Sequence, residues 1–147
     1  MLKLTDTRKE GFTIIELLIV LLIISIIAAI AIPNFMAALQ RSRQRRSMND
    51  MRTLSTAVET YKIDFSRPPQ NPNILSLVNT LQPIYVKVLP KLDGWQREFN
   101  YIGGVEVYTL ETYGKDGIDG GNISPATKDD FDLDIVLVDG FFTAAPS

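Results

Sequence analysis

The stretch KEGFTIIELLIVLLIISIIAAIAIPNF, residues 9–35, decides how the rest of the chain is read. Between residues 12 and 32 the only charge is Glu16, and a helix of that length rises about 31 Å, the thickness of a bilayer's hydrocarbon core. A chain of 147 residues has too little other structure to cover a helix that is apolar on every side. The segment is therefore expected to span a membrane. A cleaved secretory signal competes with that reading, because Lys3, Arg8 and Lys9 form a basic leader and Ala29-Ile30-Ala31 offers a small-residue cleavage pattern ahead of Pro33. Against it, the apolar run exceeds the roughly 7–15 residues of a signal's apolar region. A carboxylate inside such a region also costs about 1–3 kcal/mol of insertion energy.

Composition narrows the chemistry further. The chain has no cysteine and no histidine, so disulfides, thiolate or imidazole metal sites, cysteine nucleophiles and hydrolytic triads have nothing to be built from. Only carboxylates remain for acid–base work. The net charge of −2 argues for no particular partner. Roughly 80 residues are left for a separate folded unit, small enough that a metal or assembly with neighbours is expected to supplement its core.

Residues 9–35 resemble the N-terminus of type IV pilins and type II secretion pseudopilins: a short basic leader ending in Gly, then Phe-Thr-x-x-Glu, an apolar helix, and a Pro about two-thirds along it. The resemblance implies that a prepilin peptidase cuts between Gly11 and Phe12 and methylates the new amino terminus of Phe12. It makes Glu16 the acid of the motif, and it implies a homopolymer, a helical filament built with an inner-membrane assembly platform and minor pilins or pseudopilins. Physically, a carboxylate in a membrane needs a partner, and the α-amino cation of a neighbour's Phe12 supplies one in an assembled bundle. The competing reading is a Glu that snorkels to the headgroups of membrane lipid.

The helix is expected to continue past Pro33, which removes a backbone donor and should kink or loosen it, as far as about Phe65, since no other Gly or Pro precedes Pro68. Met48, Met51, Leu54, Val58, Tyr61 and Phe65 recur at spacings of three and four and form one apolar stripe for a C-terminal domain. Arg41, Arg43, Arg45 and Arg46 lie between membrane and stripe. They suit anionic headgroups or acidic faces of adjacent subunits, whereas no nucleic acid is expected because no aromatic interleaving accompanies them. Lys3, Arg8 and Lys9 before the span and four arginines after it leave orientation unsettled by the positive-inside rule. The resemblance sets it instead: a single-pass inner-membrane protein with a periplasmic C-terminal domain, later part of a periplasmic or extracellular filament.

The expected organisation is a cleaved leader over residues 1–11, a transmembrane or filament-core helix over 12–33, its amphipathic continuation over 34–66, and a globular domain over 67–147. SRPPQNPN, residues 66–73, ends the helix. Ile74, Leu77, Val78 and Leu81 predict a short amphipathic helix, residues 84–89 have strand character, and REFNYI and VEVYTLET predict a hairpin turning at Gly103-Gly104. DIVLV adds a further short strand, and the tail FFTAAPS reads as a subunit contact or as disorder. The fold class is thus α+β, a long N-terminal helix packed on a small antiparallel sheet of three or four strands.

The acidic, glycine-rich segment that follows the hairpin also resembles, loosely, a loop of the major type II secretion pseudopilin, which binds calcium there. Carried over, the pattern GKDGIDGG and DLDI makes Asp116, Asp119, Asp132 and Asp134 the ligand candidates. Residues 122–131 make this loop longer than the family's, which brings Asp129 and Asp130 into contention. Acidic oxygens and glycines that let backbone carbonyls wrap a cation suit calcium's six to eight hard ligands, of order; a solvated acidic loop is the competing reading. Three functions follow: a pseudopilin of type II secretion, a cysteine-free surface pilin, or a membrane-anchored periplasmic calcium-binding module that never polymerises. None is an enzyme.

Overall fold

A computed structural model describes residues 11–120 and 130–146. Helix α1 runs Ile14–Phe65, 52 residues, and continues through Pro33. The chain divides into two units, residues 1–36 and 37–147, and each is taken in turn.

The first unit is the apolar part of α1. It opens on a capping box that was not read from the sequence: Glu16 Oε2 accepts the backbone N–H of Thr13 at 2.9 Å and the Thr13 hydroxyl at 2.8 Å, while Thr13 Oγ1 accepts from Glu16 N at 3.3 Å. Thr-x-x-Glu is the sequence form of this motif. Ser25 and Asn34 return their side chains to the carbonyls of Leu21 and Ile30, so these polar groups are satisfied within the helix. The most apolar window of the helix is long enough to cross a membrane, and none of it is buried within the chain.

The second unit is built on the remainder of α1. Met51, Leu54, Ala57 and Val58 are buried, with Met48 and Tyr61 packed at the margin, whereas Phe65, at the end of the expected stripe, is 54% exposed. Helix α2, Ile74–Leu81, is capped by Asn73, whose side chain accepts from Ser76 N, and it buries Ile74, Leu77 and Leu81. Four antiparallel strands follow in the order β1-β2-β3-β4: β1 Asn100–Gly103, β2 Tyr108–Thr112, β3 Ile135–Val138 and β4 Phe141–Ala144. Tyr101, Tyr108, Leu110, Ile135 and Leu137 meet the helical side chains in one core. Ser55 Oγ and the hydroxyl of Tyr108, 2.9 Å apart, bridge helix and sheet where both are buried.

Three expectations are corrected here. Residues 84–89, bracketed by prolines at 83 and 90, form no strand. Tyr85 instead stacks edge-on against Tyr61 and donates to Asp64 Oδ2 at 2.8 Å. The hairpin does not turn on a Gly-Gly pair, since Gly103 still pairs with Tyr108. Gly103 is small because a Cβ there would lie 2.0 Å from the carbonyl oxygen of Pro69. Finally, disorder does not describe residues 141–144 of the tail, which form strand β4, joined to β3 by Asp139-Gly140, both at positive φ. Asp-Gly is the favoured two-residue turn for that geometry.

Candidate functional site

At the N-terminus, Phe12 is 77% exposed, and a Cβ placed on Gly11 would meet nothing within 4 Å among the described residues. The Gly11-Phe12 junction lies one turn ahead of Glu16, and Pro33 sits inside α1. The basic leader residues Lys3, Arg8 and Lys9 lie outside the described residues.

The acidic segment folds into a more selective arrangement than its composition suggested. Carboxylate oxygens of Glu111, Asp119 and Asp134 lie within 4.8 Å of one another. Glu111 comes from β2, Asp119 from the glycine-rich loop, and Asp134 from the residue before β3. Asp134 is 2% exposed; its Oδ2 accepts Gly120 N at 3.0 Å, and its Oδ1 is buried with no hydrogen-bond partner among the described residues. Burial pushes the Asp134 carboxyl above its ordinary range, with the charges of Asp119 and Asp116 adding to the shift and the Gly120 N–H opposing it. Glu111 is raised in the same way, first by burial and then by Asp119 and Asp134, against an Asn100 hydrogen bond that lowers it. Asp116 accepts from Ile118 N at 3.1 Å, and Asp132 faces Lys115 at 3.7 Å, so both stand outside this trio. Asp129 lies outside the described residues. Glu111 is absent from the expected set because it lies in β2, and only the pairing of β2 with β3 brings it to the loop.

The loop is seated by two glycines and an arginine. Gly114 and Gly117 adopt positive φ, and a Cβ on Gly117 would fall 2.4 Å from Arg97 Cζ. Arg97 Nη1 donates to Gly114 O at 2.8 Å, and Lys115 N donates to Phe131 O at 2.7 Å. Arg97 is in turn fixed by Asp93, a fully buried carboxylate: Oδ1 accepts the N–H groups of Trp95 and Arg97, each at 2.8 Å, and Oδ2 accepts the Thr112 hydroxyl at 2.7 Å. This turn and the segment before β3 both grip α1. Gly94 N donates to Ser47 Oγ at 2.9 Å, Trp95 Nε1 to Gln40 Oε1 at 2.8 Å, and Gln44 Nε2 to Asp130 O at 3.2 Å.

An apolar, membrane-length helix headed by a Phe-Thr-x-x-Glu cap and completed by a four-stranded antiparallel domain defines a type IV pilin-like filament subunit. Residues 34–130 match the family described as Type II secretion system (T2SS), protein G, and residues 6–32 match the prokaryotic N-terminal methylation motif. The chain is 30% identical over 129 residues to the type II secretion system core protein G of Vibrio cholerae serotype O1, covering 78% of this chain and 86% of that one. It is 30% identical over 129 residues to the Escherichia coli K12 protein of the same name, covering 79% and 88%. With the Pseudomonas aeruginosa relative it shares 28% over 138 residues, covering 85% and 96%. The chain belongs to the type II secretion system protein G family, the major pseudopilins. It is a structural subunit anchored in the inner membrane by its N-terminal helix and then carried in a periplasmic filament.

Proposed function

We propose that prepilin peptidase cuts this chain between Gly11 and Phe12 and methylates Phe12, and that the subunit then polymerises with its Phe12 ammonium against Glu16 of a neighbour. The exposed junction and the methylation-motif match support the cut. The filament serves protein export. Its proposed partners are further copies of itself, the inner-membrane assembly platform and the minor pseudopilins. The chain itself catalyses nothing; a cytoplasmic ATPase drives growth, because this sequence contains no phosphate-binding loop. Sequencing the mature N-terminus of isolated subunits tests the processing step: methyl-Phe12 is expected, and a start after Ala31 would return the segment to an ordinary signal peptide.

The observation that favours calcium is the buried Asp134 carboxylate, whose Oδ1 has no hydrogen-bond partner among the described residues and which lies beside two further carboxylates. Three acidic groups lie close together there and raise one another's carboxyls, and hard oxygens of this kind fit calcium. Glu111, Asp119 and Asp134 would hold the ion, with backbone carbonyls or water completing its shell. Bound there, calcium supplies the positive charge that offsets the repulsion. At about 100 times its dissociation constant one ion adds on the order of 2.7 kcal/mol of stability.

Calorimetry and thermal melts of the full chain in detergent test this reading. Heat of binding and a rise in melting temperature with calcium are expected, both lost in Asp134→Asn; no heat and no rise would remove the site. The pH dependence has a definite sign. Without metal, the raised carboxyls of Asp134 and Glu111 favour the fold below their ordinary values of 3.8 and 4.5, and that contribution is lost as pH rises through their folded-state range. Calcium needs them ionised, so its stabilisation is expected to grow over the same rise in pH.

A further inference from the structure

Arg41, Arg43, Arg45 and Arg46 are exposed on two turns of α1 whose other side is committed to the domain: Gln44 and Ser47 are buried, and the Arg43 backbone lies against Gly94. Arg41, Ser42, Arg45, Arg46, Asn49 and Asp50 are among the residues that line a shallow groove, in which Arg45 and Arg46 are exposed cations. Asp50 reaches Arg46 at 3.5 Å, with the arginine side chain still 61% exposed. The exposed carboxylates Asp116 and Asp132 belong to the loop system that the same turns of α1 hold through Gln44 and Asp130 O. A cationic groove and an anionic loop thus sit at one level of the helix in every copy.

A helical filament repeats one heterologous contact, in which a surface patch meets a different, complementary patch of the next copy. We propose that the arginine groove of one subunit receives the exposed carboxylates of the Asp116 and Asp132 loop of a neighbouring subunit. This rests on the filament reading above. Single exposed ion pairs are weak, so the groove acts through several charges together and sets lateral register more than strength. Anionic headgroups have the same chemistry to offer before assembly and are the alternative that the experiment separates.

The chain has no cysteine, so paired substitutions report cleanly. Arg45→Cys combined with Asp132→Cys, treated in assembled filaments with a short bis-maleimide, is expected to give a ladder of linked multimers that neither single variant gives. Arg45→Glu with Arg46→Glu is expected to lower filament yield about fivefold, and Asp116→Lys with Asp132→Lys to restore it. Filaments at the unsubstituted yield with no ladder overturn the proposal. So does a charge-reversed chain that assembles normally and loses only its binding to phosphatidylglycerol vesicles, which would assign the groove to lipid. If the unsubstituted chain itself makes no filaments, the filament reading fails first, and the two failures are told apart.

Discussion

Glu16→Ala is expected to leave a processed, membrane-inserted subunit that forms no filaments. Two losses add in this variant. The capping box to Thr13 disappears, a local effect of about 1 kcal/mol. In the bundle, the Phe12 ammonium of a neighbour also loses its counter-charge, and breaking a buried pair by removing one partner costs about 3–5 kcal/mol. That is roughly a hundred- to several-thousand-fold in the association constant of each contact. Glu16→Gln separates the two, since an amide oxygen still accepts from Thr13 but carries no charge. Filaments counted by electron microscopy should be missing from both variants. If Gln assembles as well as Glu, the helix cap and not the ion pair is what the residue supplies. The structure changes how this acid is understood in the lone subunit: Oε2 already has two donors, so Glu16 is a satisfied residue before assembly and not an orphan waiting for a partner.

Gly94→Ala carries the next largest expected effect. A Cβ at this position would lie 2.1 Å from the Arg43 carbonyl oxygen, 2.6 Å from its carbon and 2.9 Å from its Cα. All three are backbone atoms of α1, which cannot swing aside as a side chain could. The turn must lift, and it takes with it the Gly94–Ser47 bond and the Asp93 hub that fixes Arg97. Overpacking of this kind costs about 3 kcal/mol, a large share of a small domain's roughly 5–15 kcal/mol. It corresponds to a fall in melting temperature of roughly 10–20 °C. Ser47→Ala is the control: it removes one hydrogen bond, worth about 1 kcal/mol, and should melt only slightly lower than the unsubstituted chain. Equal melting of the two variants would show that the close approach is not what holds the turn to the helix.

Helical periodicity carried most of what was legible. The end of α1 at Phe65 and the whole of α2 follow from apolar spacing and from the Pro-rich break, because local pattern and burial agree there. Strand β3 was legible as an apolar run for the same reason. Residues 84–89 have strand-like composition, but the ring of Tyr85 finds Tyr61 and its hydroxyl finds Asp64, contacts distant in sequence that no local pattern carries. The Asp139-Gly140 turn and the Thr13-x-x-Glu16 cap were local signals that went unread, the first because the residues after it looked like a tail, the second because the acid invited an intermolecular explanation. Within the acidic site, Asp119 and Asp134 came from the Asp/Gly-rich pattern, but Glu111 had to come from the register of β2 against β3, where Thr112 pairs with Ile135 and brings Glu111 and Asp134 to one end of the ladder.

The apolar stretch of α1, of which none is buried within the chain, sets the direction of the energy balance in growth and disassembly. Moving such a helix from lipid into a bundle of identical helices exchanges one oily neighbour for another, so little hydrophobic free energy is released. The bilayer therefore serves as a reservoir in near balance with the polymer: drawing a subunit out needs external work together with a few directional contacts, and a subunit that loses those contacts has a stable place to which it can return.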